Sequence, residues 1–446
     1  MTLSLREPLG LPETVQALCA AIRVEGGRAF CVGGLVRDAI RVTEGQLGQL
    51  GPVRDIDIEV HGVEADALQT LLERFGKVNL VGQSFAVFKV DTAAGLLEVS
   101  LPRIDSKVGP GHKGIAVQGD PHMGIEQAAR RRDLTINALA YDPIEDELLD
   151  PFGGLQDLKH GILRPVDSNT FVEDPLRALR VLQFAARFGY STSTELDALC
   201  AQAPIEELAS ERVFMELEKL LIRGIEPARG LLLGFRWGLW AKVIPEIASM
   251  DPTRLAYRLE RARPVCLRVA QSDNGAALAF MLAALLADTT SANAEKVLER
   301  FRIKRVYNRP VRAMVHTLRT LWEDVHVESS DGELRLLSWK CATSRTPLLL
   351  LCGMAIVMEP IPALEGVLRR VEQLGVGDGP PPRVIKGEHL RALGMSEGPD
   401  VGLLLDVAYT QQLLEGETNA QTLLGTVREM IEAGDGLASP TEGDGE

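Results

Sequence analysis

One seven-residue stretch limits what this chain can become more than any other. Arg54-Asp55-Ile56-Asp57-Ile58-Glu59-Val60 alternates acids with aliphatics, which is the period of a half-buried strand. Successive side chains on a strand point to opposite faces, so Asp55 and Asp57 share one. Carboxylates that close raise each other's pKa unless a cation lies between them. Mg2+, a hard ion that takes oxygen ligands and completes its shell with phosphates, suits the pair. An edge strand with a solvated acidic face gives the same spacing.

The segment upstream narrows the choice. Arg28-Ala29-Phe30-Cys31-Val32 reads as a short apolar strand, followed by Gly33-Gly34 and the helical start Leu35-Val36-Arg37-Asp38-Ala39-Ile40. Paired glycines between strand and helix let backbone N–H groups approach an anion where the helix N-terminus favours negative charge. Arg37 adds a forked donor for a phosphate oxygen. Either feature alone is common; a phosphate cradle followed by a two-carboxylate strand is more specific.

Between residues 28 and 100 short strands alternate with helices. The spacing predicts a helix over 65–75, strands over 78–81, 85–90 and 96–101, and Glu98 on the last of these as a third acid. Residues 103–127, rich in Gly, Lys, His and Pro, read as a long loop. Arg130 to Ala140 reads as a basic patch entering an apolar helix, with Arg132, Asp133 and Asn137 at helical spacing. Asp150-Pro151-Phe152-Gly153-Gly154 is a turn ending the first domain. Beyond it strand signals are few. Residues 172–189 form a well-marked helix, with acids and Pro175 at its start and Gly189 past its end.

On that helix Asp174, Arg177 and Arg180 recur every three residues and share a face. A carboxylate accepts hydrogen bonds and a guanidinium only donates. Cytosine and adenine each offer an amino donor beside a ring-nitrogen acceptor; uracil and guanine present the opposite order. An Asp beside an Arg would therefore accept C and A and reject U and G without a template. A surface salt bridge is the plain alternative.

The net charge of −14 argues against sequence-blind coating of nucleic acid, although a local basic surface is compatible with it. Six scattered cysteines, with no pair at metal-ligand spacing, predict reduced thiols and a cytoplasmic protein. The first ten residues lack the apolar run of a secretory signal. The Leu-rich segment 348–358 is too short to span a membrane.

Taken in order, these motifs resemble the class II tRNA nucleotidyltransferase and bacterial poly(A) polymerase family, within the polymerase-β-like superfamily. The matching residues are Gly33-Gly34-Leu35-Val36-Arg37-Asp38, Asp55-Ile56-Asp57, Arg131 to Ala138, Asp150 to Gly154, Glu173-Asp174-Pro175-Leu176-Arg177 and Ser210 to Leu217. The resemblance implies an α+β fold. A nucleotidyltransferase head with a mixed sheet (1–150) precedes a helical neck (151–225), a helical body like a degenerate His-Asp domain (226–375), a small helical tail (376–433) and a disordered acidic end (434–446).

It further implies Mg2+ on Asp55 and Asp57, with Glu98 as the third head carboxylate. Gly33, Gly34 and Arg37 would hold a triphosphate. Arg132 and Asp133, with Asn137 beside them, would contact the nucleotide. Asp174 and Arg177 would read the base edge, and Arg180 would lie near the phosphates. Gln183 stands where many members carry another Arg. Gly82-Gln83-Ser84 and the 106–113 loop resemble the CCA-adding branch. Ala287 replaces the metal-binding His of the His-Asp domain, and Arg300 to Arg312 forms the densest basic cluster. The implied activity is addition of CCA to tRNA 3′ ends from CTP and ATP. A poly(A), A-only or CC-only polymerase and a non-catalytic RNA-binding relative are the alternatives.

Overall fold

The computed structural model describes residues 4–50, 56–80, 87–107, 115–395 and 398–432. Asp55, the Gly82–Ala86 stretch, the 108–114 part of the expected loop and the acidic end 434–446 lie outside them. The chain divides into two compact units, Met1–Ala248 and Ser249–Glu446. The division falls within the stretch expected to form the helical body.

The first unit is built on a mixed sheet. Its strands are β1 (Arg28–Val32), β2 (Ile56–His61), β3 (Gly76–Leu80), β4 (Val87–Thr92), β5 (Gly95–Ser100), β8 (Ala140–Asp142) and β9 (Glu147–Leu149), in the order β3-β4-β5-β2-β1-β8-β9. Only β2 and β5 pair in parallel; the other neighbours are antiparallel. β2 is therefore interior, not an edge. Ile56, Ile58 and Val60 are fully buried, each worth roughly 1.5–3 kcal/mol relative to exposure, and this fixes which way the acids face.

Four local expectations change. Within 103–127 the chain forms an antiparallel pair, β6 (Arg103–Lys107) with β7 (Ile115–Gly119). The Arg130–Ala140 stretch is not a helix. A helix ends at Arg130, a 3-10 turn covers Thr135–Asn137, and β8 begins at Ala140. Leu134 bridges Pro165 instead, so strand-like contacts interrupt the apolar run. A parallel pair, Ile162–Leu163 with Ser191–Thr192, lies beyond residue 150. Finally, the helix expected from 172 begins at Leu176, so Asp174 precedes it and accepts a hydrogen bond from Leu176 N–H at 3.1 Å. Gly189 closes it with φ +70°.

The second unit is helical among its described residues. The Asn274–Leu286 helix is buried along nearly its whole length, consistent with an apolar sequence that shows no polar face. Asp288 pairs with Arg254 at 3.1 Å and Arg258 at 2.7 Å. In the basic cluster, Arg309 pairs with Asp273 and Arg312 with Glu295 and Glu299. Ile385, Leu390, Leu404, Ala408, Leu423 and Val427 form a separate small core. Among the described residues no helix is long and apolar enough to cross a membrane. All six cysteines are buried and free.

Candidate active site

The site begins where β1 runs out. Gly33 adopts φ +73°, a conformation glycine reaches without steric cost, and the Gly34–Thr43 helix starts at once. A Cβ placed on Gly33 would lie 3.6 Å from both Asp57 Oδ2 and Arg132 Nη1. The glycine turn, the acidic strand and the basic run therefore meet there. Asp57 is exposed, between buried Ile56 and Ile58. Its register partner on β5 is Glu98, also exposed. Paired residues on adjacent strands project to the same side of a sheet. On the far side Glu98 is paired in register with Lys89.

Glu59, two residues along the same strand, is 1% exposed. It accepts from Arg131 Nη2 at 3.2 Å, lies 3.5 Å from Arg132 Nη2, and faces His61 Nε2 at 3.2 Å. Burial works to raise its pKa. The His61 hydrogen bond and the two guanidiniums outweigh that and bring it down to about 2. Sequence reasoning saw only another strand acid here. The two arginines far along the chain were its unrecognised partners.

The 3-10 turn brings Asp133 and Asn137 together. Asn137 Nδ2 donates to Asp133 Oδ1 at 2.9 Å, and Asn137 Oδ1 accepts from Arg37 Nη1 at 2.6 Å. Arg180 Nε donates to Asp133 Oδ2 at 2.7 Å. Burial pushes the Asp133 carboxyl up, but Arg180 and these hydrogen bonds hold it below the usual range. Arg37 is only 3% exposed. Asp38 takes two of its donors at 3.0 Å, and the rings of Phe184 and Phe188 flank it.

Asp174 accepts from Arg212 Nη2 at 3.2 Å. Arg212 falls in the Ser210–Leu217 motif, to which the sequence assigned no role. Arg177 sends Nη1 to Thr170 O at 2.6 Å and Nη2 to Arg131 O at 2.5 Å, which pins the helix start to the basic run.

These groups line one cleft of 580 Å³. Gly33, Gly34, Arg37, Asp57, Arg132, Asp133, Asn137, Asp174, Arg177 and Arg180, all singled out from sequence, border it. Glu98 does not, and Asp55 is outside the described residues. Eight basic side chains face three carboxylates in the lining, so the cleft is cationic in a chain of net charge −14. It has the volume of a small-molecule site and the charge of a polyanion site.

The chain is similar to known proteins both in sequence and in fold. Residues 29–164 match the poly A polymerase head domain family. The multifunctional CCA protein of Nitrosococcus oceani is 39% identical over 225 residues, which are 50% of this chain and 51% of that protein. That of Laribacter hongkongensis is 38% identical over 240 residues, 52% of this chain and 55% of that one. The chain thus spans about half the length of the curated relatives it matches. Among solved structures, the Bacillus stearothermophilus CCA-adding enzyme in complex with CTP aligns with a TM-score of 0.69 at 22% identity, covering 95% of this chain and all of that one. The Thermotoga maritima CCA-adding enzyme complexed with tRNA aligns at 0.65 and 19%, covering 97% of this chain and 99% of that one. Residues 29–164 therefore resemble a poly A polymerase head domain, on a chain whose fold is similar to that of the solved CCA-adding enzymes.

Proposed function

We propose that the chain is a tRNA nucleotidyltransferase that adds CCA to tRNA 3′ ends from CTP and ATP. The carrying observation is the single cationic cleft on which the glycine turn, Asp57, the Asp133–Asn137 turn and the Asp174–Arg180 segment converge. In the proposed reaction the RNA 3′-hydroxyl oxygen bonds to the α-phosphorus of the nucleotide and pyrophosphate leaves.

A divalent cation suits this site, because Asp57 and Glu98 stand in register on parallel strands and offer only carboxylate oxygen. We assign it as Mg2+, held by Asp55 and Asp57 with Glu98 beside them. When bound, such an ion lowers the pKa of a coordinated hydroxyl and offsets phosphate charge. The protein's own groups do the rest. The N–H groups at Gly33 and Gly34 and the cationic wall seat the triphosphate. Arg132, Asp133 and Asn137 meet the sugar and phosphates. Asp174, steadied by Arg212, accepts from the base amino group, and Arg177 supplies the neighbouring donor through hydrogens its two backbone contacts leave over.

Purified protein incubated with a tRNA lacking its 3′ terminus should add two C from CTP alone and complete CCA when ATP is present. Addition of A only, with none from CTP, would replace this reading with that of an A-adding polymerase. Asp57→Ala should remove nucleotide addition by at least about a thousandfold; full activity in that variant would refute the metal site.

A further inference from the structure

One neutral group in the cleft wall has no partner of its own. Gln183 lies on the Leu176–Phe188 helix, is only 3% exposed and borders the cleft. Its side-chain amide makes no hydrogen bond among the described residues, and neither its oxygen nor its nitrogen is sealed away from the cleft. Buried amides nearly always have a partner, so an amide placed this way is completed by something that enters the cleft.

The groups around it are already engaged. The other amide in the lining, Asn137, accepts from Arg37 at 2.6 Å and donates to Asp133 at 2.9 Å. Asp133 accepts from Leu134 N–H as well through Oδ1, and from Arg180 through Oδ2. Arg180 and Arg187 stand three residues before and four after Gln183, about one helical turn each way, and line the same cleft. Gln183 therefore sets a neutral donor and acceptor between two cations. A phosphate oxygen would meet the amide nitrogen but leave the amide oxygen facing an anion. A guanidinium in place of the amide could only donate. A hydroxyl suits both amide atoms, because it accepts from the nitrogen or donates to the oxygen. Ribose carries two hydroxyls on adjacent carbons, next to its phosphates.

We propose that Gln183 is a specificity-determining residue that binds a ribose hydroxyl of the substrate and so favours ribose over deoxyribose. A site whose buried polar group is left unpaired by an analogue lacking the hydroxyl rejects that analogue. The proposal rests on the nucleotidyltransferase reading for the identity of the substrate. Two ribose sources share this chemistry, the incoming nucleotide and the 3′-terminal residue of the acceptor RNA, and they are separated by the ligands used.

The test is titration calorimetry on the full chain, comparing CTP with 2′-deoxy-CTP, and a tRNA lacking CCA with the same tRNA ending in a 2′-deoxy residue. Gln183→Met keeps the length of the side chain and removes its hydrogen bonds. It should weaken the ribose form of one pair by on the order of tenfold and leave the deoxy form unchanged; the pair that responds identifies the source. If neither ribose-to-deoxyribose ratio changes, or if both forms of a pair weaken equally, the proposal is overturned. Because the amide has no partner within the protein, Gln183→Met should melt at or above the wild-type temperature, and a variant that melts well below it also overturns the proposal. Unchanged ratios in a protein that still adds C to tRNA remove the role of Gln183 and leave the nucleotidyltransferase reading standing. A ribose preference that depends on Gln183 in a protein that adds no nucleotide keeps the role and overturns that reading.

Discussion

Glu59 offers a sharp test of how the site is held. The change is Glu59→Gln, which keeps the side chain's size and removes its charge. The carboxyl falls from an ordinary 4.5 to about 2 in the folded protein, a linkage worth about 3 kcal/mol at pH 7. Removing one partner of a buried ion pair costs roughly 3–5 kcal/mol, which is consistent with it. The folded value lies below the unfolded one, so this stability is fully present above the unfolded pKa and is lost as the pH falls through the folded one. The wild-type advantage should shrink from about 3 kcal/mol at pH 7 to about 1.5 kcal/mol at pH 3. Hydrogen exchange in urea, read on peptides from β1 and β2, measures it within the first unit rather than across both. An advantage below about 1 kcal/mol at pH 7, or one that does not change with pH, would refute the reasoning. Arg131 and Arg132 would then be held by something other than this carboxylate.

Two further expectations concern neighbouring parts of the site. Gly154→Ala should destabilise the first unit by about 3 kcal/mol or more, since its Cβ would meet Thr135 O of the 3-10 turn too closely for backbone to yield; a melting temperature equal to wild type would count against the packing described. Arg212→Ala should free Asp174 from its 3.2 Å partner, raising UTP incorporation relative to CTP by several-fold with little change in RNA binding; unaltered base choice would remove Arg212 from the base-reading arrangement.

The chain's local rules were readable without coordinates. Alternation put Ile56, Ile58 and Val60 inward and the acids on the other face, and two glycines after an apolar strand marked the turn at Gly33, because strand period and turn chemistry depend only on near neighbours. The 172–189 segment announced its helix through its proline and terminal glycine, although the helix begins at Leu176, four residues later than expected. What packs over a residue is a different matter. That Glu59 lies buried under Arg131 and Arg132, that Asp133 meets Asn137 through a 3-10 turn rather than a helix face, and that Arg187 joins Arg37 and Arg41 on Asp38 were decided by the tertiary structure. Burial and charge pairing are set by segments tens to more than a hundred residues apart, and a one-dimensional pattern carries no record of which of them will cover which.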